Sequence, residues 1–257
     1  MSISAVHMEI NHVILIIIIK RGDDFMDLFI TTTGIEMLLR WGHFLAGITW
    51  IGLLYYFNFV QTEYFKEADG ASKSDAIQKL VPRALWWFRW GAMFTLVSGL
   101  GIFALRGAGM SMDIYVGALL GIFMFLNVWL IIWPNQQIVI ASVKQVAEGG
   151  DALPEAAEAL SAAGLASRTN TLFSIPMLFF MGASAHYPHS FSFLAFILAV
   201  VVIVALQYNG AYPAIKHIDV LKKLPEGGQL KLYASVKGVI HCGLGLTLIL
   251  FFILDSL

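Results

Sequence analysis

His43 and His241 stand inside long apolar stretches, and each is followed four residues later by a glycine, Gly47 and Gly245. A spacing of four puts both positions on one face of an α-helix, so each glycine leaves a shelf beside an imidazole. A neutral imidazole can ligate haem iron, the shelf admits a flat macrocycle, and an arginine near the helix end can pair with a propionate. For His43 the nearby cations are Arg40 and Arg106. The pattern describes a candidate haem b site, with His43 and His241 as iron ligands and Arg40 and Arg106 as propionate partners. The alternative is that each histidine only hydrogen-bonds a neighbouring helix. His43 falls in the outer half of its helix and His241 in the inner half of another. At 1.5 Å of rise per residue they are offset by on the order of 10 Å, against the roughly 4 Å that two ligands of one iron allow. One haem held by both therefore requires tilt or shift. An outer haem would pair His43 with His186 or His189, although surface exposure is the simpler reading of those two.

A second constellation carries amides and a guanidinium. Trp133-Pro134-Asn135-Gln136-Gln137 and Arg168-Thr169-Asn170 flank one connection. Asn135, Gln136, Arg168 and Asn170 together can read a flat polar heterocycle through paired hydrogen bonds, which makes them substrate-binding candidates. The competing reading is local: Pro134 ends a helix, Asn135 and Gln136 cap its carbonyls, and Thr169 or Asn170 caps the next. No residue is singled out as the catalytic group.

The elements that must hold these groups are membrane helices. Of 257 residues 58% are hydrophobic and 13% charged, against about 45–50% and about 25% in an average soluble domain. Runs long enough for ~30 Å of hydrocarbon fall near 36–60, 84–105, 114–134, 171–186, 190–209 and 235–254. The fold expected is an all-α polytopic bundle of about six transmembrane helices. Ile14–Ile19 is too short to cross and is stopped by Lys20, Arg21, Asp23 and Asp24. Residues 1–25 read as a dispensable extension, with Met26 as an alternative start, and 26–257 as one transmembrane domain with an inner-side loop at 135–168. Within that loop a short exposed helix is expected, stopped by Gly164.

Most lysines and arginines fall on one side of these spans, among them Lys66, Lys73, Lys79, Arg83, Lys144, Lys216, Lys222, Lys223, Lys231 and Lys237. The positive-inside rule then places both termini outside, across a bacterial cytoplasmic membrane. A formal net charge of −1 gives no basic field for nucleic acid. The single cysteine, Cys242, excludes a disulfide framework, a zinc cluster and a c-type haem attachment, so a metal would be held mainly by histidine.

The chain resembles the membrane domain of the bacterial membrane-bound urate hydroxylase family, the urate oxidase N-terminal domain, from about Leu38 to the C-terminus. The resemblance is carried by Arg40-Trp-Gly-His43-Phe-Leu-Ala-Gly47-Ile-Thr-Trp-Ile-Gly52, by Ile132-Trp-Pro-Asn-Gln136, and by Ala166-Ser-Arg168-Thr-Asn170-Thr171 running on to Met181. It implies oxidation of urate at C5, with electrons leaving through a cytochrome c domain fused after the helices. This sequence has no Cys-x-x-Cys-His before Leu257, so a separate cytochrome c, quinone or redox subunit is the expected acceptor. Two other classes remain open: a non-catalytic haem b anchor or electron-transfer subunit of a larger complex, and a transporter. The latter would show an inverted repeat that the short His-x-x-x-Gly similarity does not supply.

Overall fold

A computed structural model describes residues 26–107, 109–218, 224–228, 230 and 235–257. The extension 1–25 and the expected inner-side lysines Lys222, Lys223 and Lys231 lie outside the described residues. Thr31 opens α1 (Thr32–Tyr55), its hydroxyl accepting from the Gly34 N–H at 3.1 Å. A π-helical turn, Tyr56–Gln61, carries α1 directly into α2 (Thr62–Glu67). Asp69 caps the short α3 (Gly70–Lys79) by accepting from Ser72 N–H. α4 (Val81–Arg106) has Pro82 in its first turn and stops at Gly107, whose φ of 60° suits glycine. A second π-helical turn, Asn127–Ile132, joins α5 (Met112–Leu126) to α6 (Trp133–Ala147). Three further helices follow: α7 (Ala156–His186), α8 (Phe193–Ile215) and α9 (Val236–Ser256).

Among the described residues, five continuous helices are long and apolar enough to cross a bilayer: Thr32–Glu67, Val81–Arg106, Met112–Ala147, Phe193–Ile215 and Val236–Ser256. α7 is the sixth long helix. Its 31 residues span about 46 Å, but its middle is polar. Thr169, Asn170, Thr171 and Ser174 are all buried there, because α7 packs against α5, α6, α8 and α9 at once. The chain is thus a multi-pass helical membrane protein built around a polar central helix. Close approach to that helix is made where neighbours carry glycine. A Cβ on Gly210 of α8 would run into the Thr169 side chain, and one on Gly243 of α9 would sit 3.0 Å from the Leu172 carbonyl.

Two expectations change. Pro134 does not end a helix; it follows the π-helical turn inside the continuous run Met112–Ala147, where the regular i→i−4 ladder is already interrupted. Nor is 135–168 a loop. α6 runs to Ala147, and α7 begins at Ala156, well before the expected span start at 171. The cause is visible in the alanines. Ala159, Ala162, Ala163 and Ala166 repeat at helical spacing and are buried as one face, in a stretch whose composition favours helix throughout. Gly164 lies within this helix and stops nothing. The intervening turn is closed by Ser142, whose Oγ accepts from Leu153 N–H at 3.0 Å.

α1 and α4 form a separate hairpin that packs chiefly on itself. Its outward faces, including Phe44, Ile48, Phe94 and Val97, are exposed, which in a membrane means lipid-facing.

Candidate functional site

Both π-helical turns place an asparagine against α7. In each turn the backbone bonds reach five residues back, Thr62 N–H to Phe57 O and Trp133 N–H to Val128 O. Such turns interrupt the regular ladder and are frequent at functional sites. Asn127, at the start of the second turn, donates to Asn170 Oδ1 at 2.8 Å and to Gln207 Oε1 at 3.0 Å, and accepts from Gln207 Nε2 at 2.6 Å. Asn170 in turn donates to the Met124 carbonyl at 2.9 Å. This amide network is closed. It fastens α5, α7 and α8 together at the centre of the bundle.

Asn58, in the first turn, is placed differently. Its amide donates to Leu54 O at 2.9 Å and to Ser167 Oγ at 2.8 Å, so both hydrogens are engaged and the carbonyl is left to offer. It faces a cavity of about 1060 Å³ at the basic end of the bundle. Asn58, Gln61, Gln136, Ser167, Arg168 and Thr171 supply the polar wall of this cavity, and Phe57, Leu85, Phe88, Ile132 and Val239 supply much of its apolar wall. Lys66, Lys73 and Lys237 stand at its exposed margin, with Glu63 paired to Lys66 at 2.7 Å. Gln61 Oε1 is buried with no hydrogen-bond partner. Arg168, half-buried on α7, directs its Nε to the Gly164 carbonyl at 3.3 Å. The polar lining therefore brings amide acceptors and a guanidinium donor to one cavity. At the same end Lys216 bonds Glu158 at 2.6 Å and holds that carboxyl below its usual range. This ion pair ties the start of α7 to the end of α8.

Of the four expected substrate-binding residues, Gln136 and Arg168 line this cavity. Asn135 turns its amide back onto the Ile131 carbonyl at 2.7 Å, and Asn170 belongs to the closed network. Asn58, Gln61, Asn127 and Gln207 were missed. Their signal was present, since an amide within an apolar span is costly unless paired and usually faces the bundle interior.

The expected haem residues gather only in part. His43 is half-buried against α4, its Nδ1 3.0 Å from Ser98 Oγ. Ser98 gives its own proton to Phe94 O at 2.6 Å, so it accepts from Nδ1–H and leaves Nε2 with its lone pair. A side chain on Gly47 would meet nothing within 4 Å, so the shelf is open. Arg40 and Arg106 converge two turns away on Glu36, each at 2.7 Å. His241 is exposed on α9, which packs on α7 and α8, whereas α1 packs on α4. The fold does not bring the two histidines together. His186 is exposed at the end of α7. His189 is not a surface residue; it is buried, receiving 2.8 Å contacts from Asp113 to both its backbone N–H and Nδ1, because its connection folds back over the α5 N-terminus. No cluster of three or more potential metal-ligating side chains occurs among the described residues.

In comparison with known proteins, residues 102–233 match the family described as urate oxidase N-terminal. No curated protein and no solved structure matches the chain. The match runs from the end of α4 through α8, taking in Asn127, Gln136, Arg168, Asn170 and Gln207 and stopping short of both His43 and His241. It is narrower than the Leu38-to-C-terminus resemblance read from the motifs.

Proposed function

Since the chain belongs to the urate oxidase N-terminal family, we propose that it is a membrane oxidoreductase that binds urate or a similar heterocycle in the cavity at its basic end. The observation that carries this reading is that one cavity is lined both by Asn58 and Gln61, whose carbonyls are left to accept, and by the Arg168 guanidinium. A purine-like ring presents N–H groups on one edge and carbonyl or anionic oxygens on another, and that donor–acceptor complement matches the polar groups of the lining. Gln136 and Thr171 extend the polar wall, and the apolar residues give the ring flat surfaces to lie on. Hydroxylating urate at C5 takes the oxygen from water and releases two electrons and two protons, so an acceptor must follow. A separate cytochrome c, quinone or redox subunit fills that role in this reading.

His43 fits haem b in one respect: the Ser98 acceptor fixes the tautomer that leaves Nε2 available. Arg40 and Arg106 would hold the haem carboxylates. The group would supply one-electron carriage. Fifteen residues separate His43 from Asn58 along α1, about 22 Å, so haem held there would not touch a substrate in the cavity. Its place would be on the route by which electrons leave toward the opposite face.

The test is the reduced-minus-oxidised optical spectrum of the purified protein, with and without urate as reductant. A b-type signal that urate reduces, and that His43→Ala abolishes, is the expected result. No signal in the wild type would remove haem from the proposal, and a signal reduced only by quinol would turn the reading toward an electron-transfer subunit without a substrate of its own.

A further inference from the structure

Arg89 lies on α4, eight residues or about 12 Å above its first residue, away from the cavity wall. Its guanidinium lies 3.8 Å from the centre of the Trp133 ring, 5.2 Å from Trp129 and 5.8 Å from Trp90. Among the described residues no carboxylate pairs with it. Its Nε and the neighbouring Trp129 Nε1 are both buried donors with no acceptor. A charge in this position retains its cost until an anion or an oxygen acceptor meets it.

The surroundings say where that acceptor comes from. Trp86, Phe94 and Leu130 lie around the group and are exposed, which in a membrane-spanning bundle means that they face lipid. Lys79 and Arg83 mark the aqueous level of the same end, one to three turns away. Arginine stacks on aromatic rings and still presents its fork of donors to phosphate, and tryptophan favours the headgroup level. We propose that Arg89, with Trp129 and Trp133, forms a binding site for the phosphate of an anionic phospholipid in the leaflet at the basic end.

The measurement is tryptophan quenching in bilayers by dibrominated phosphatidylglycerol against dibrominated phosphatidylcholine, which yields a relative binding constant. Wild type should prefer the anionic lipid by about five-fold, the effect of one cation near an anionic surface. Arg89→Gln should bring the ratio to about one. Trp129→Phe, which keeps the ring and deletes only the N–H, should lower it to about two-fold, and it carries the test alone if the arginine variant does not fold. Equal binding of the two lipids by wild type, or an unchanged preference in the variants, would overturn the proposal. Millimolar inorganic phosphate that displaces the brominated lipid would reassign the group to a soluble oxyanion and overturn the lipid assignment.

Discussion

Asn58 and Asn127 each stand in a π-helical turn and each cross to the polar middle of α7, yet they end in different surroundings. Asn127 meets Asn170 and Gln207, and those amides answer one another. Asn58 meets only Ser167 and its own helix, and beside it Gln61 Oε1 is left without a partner. Two polar clusters of similar composition thus differ: one completes its own bonds and fastens helices, and the other leaves acceptors open beside the cavity proposed for substrate. The distinction lies in whether the protein completes its own hydrogen bonds. Buried polar groups are ordinarily satisfied, so an incomplete set beside a cavity points to a ligand.

The largest expected effect tests the closed cluster. Asn170→Leu would orphan an Asn127 donor deep in the bundle and take from the Met124 carbonyl its second hydrogen bond, and should destabilise the protein by about 2–3 kcal/mol. Unfolding in mixed micelles measures it. Full stability with lost ligand binding would break the comparison, because the fastening would then belong to the site.

Next in size is Arg168→Gln. Losing one charged hydrogen bond to a ligand costs about 2 kcal/mol, so KM for urate should rise about 30-fold. Haem content, if present, should not change, and the unfolding midpoint without ligand should fall less than in Asn170→Leu. A stability loss comparable to that of Asn170→Leu would place Arg168 with the fastening.

These expectations also show what was readable beforehand. The apolar runs announced the membrane helices, since hydrocarbon thickness fixes their length and little else competes. α7 was only half visible. Hydropathy registers 171–186 but discounts Ala156–Asn170, where small and polar residues are buried against other helices instead of facing lipid. Arg168 and Gln136 were legible as a donor set because they stand near span ends, where polar groups gather. Asn135 and Asn170, equally eligible by type, point elsewhere, and helical rotation at a π-turn is not written in spacing. The cavity itself arises from the meeting of α2, α3, α4, α6, α7 and α9 with both π-helical turns, so no local pattern encodes it. His189 illustrates the same limit: its burial depends on Asp113, seventy-six residues away.

Asn58→Leu should fall between the two clusters. It removes the donors to Leu54 O and Ser167 Oγ, and intramembrane side-chain bonds of this kind average about 0.6 kcal/mol, so stability should drop by about 1 kcal/mol. Ligand affinity should fall about ten-fold, as the ring loses one acceptor. Isothermal titration with urate separates the two effects. A larger change in stability than in affinity would make Asn58 a fastening like Asn127.

Gln61→Met is the smallest change and the sharpest discriminator, because its two consequences have opposite sign. Methionine has nearly the length of glutamine, and it removes a buried acceptor that has no partner in the protein. Without ligand the variant should be more stable by about 1 kcal/mol, since the desolvated carbonyl no longer has to be accommodated. With ligand it should bind urate about five-fold more weakly, since the N–H that would have met Oε1 now meets a thioether. A gain in stability with a loss of affinity is the behaviour of a receptor group. If both fall together, Gln61 contributes to the fold, and the contrast between the two π-turns shrinks to one of degree.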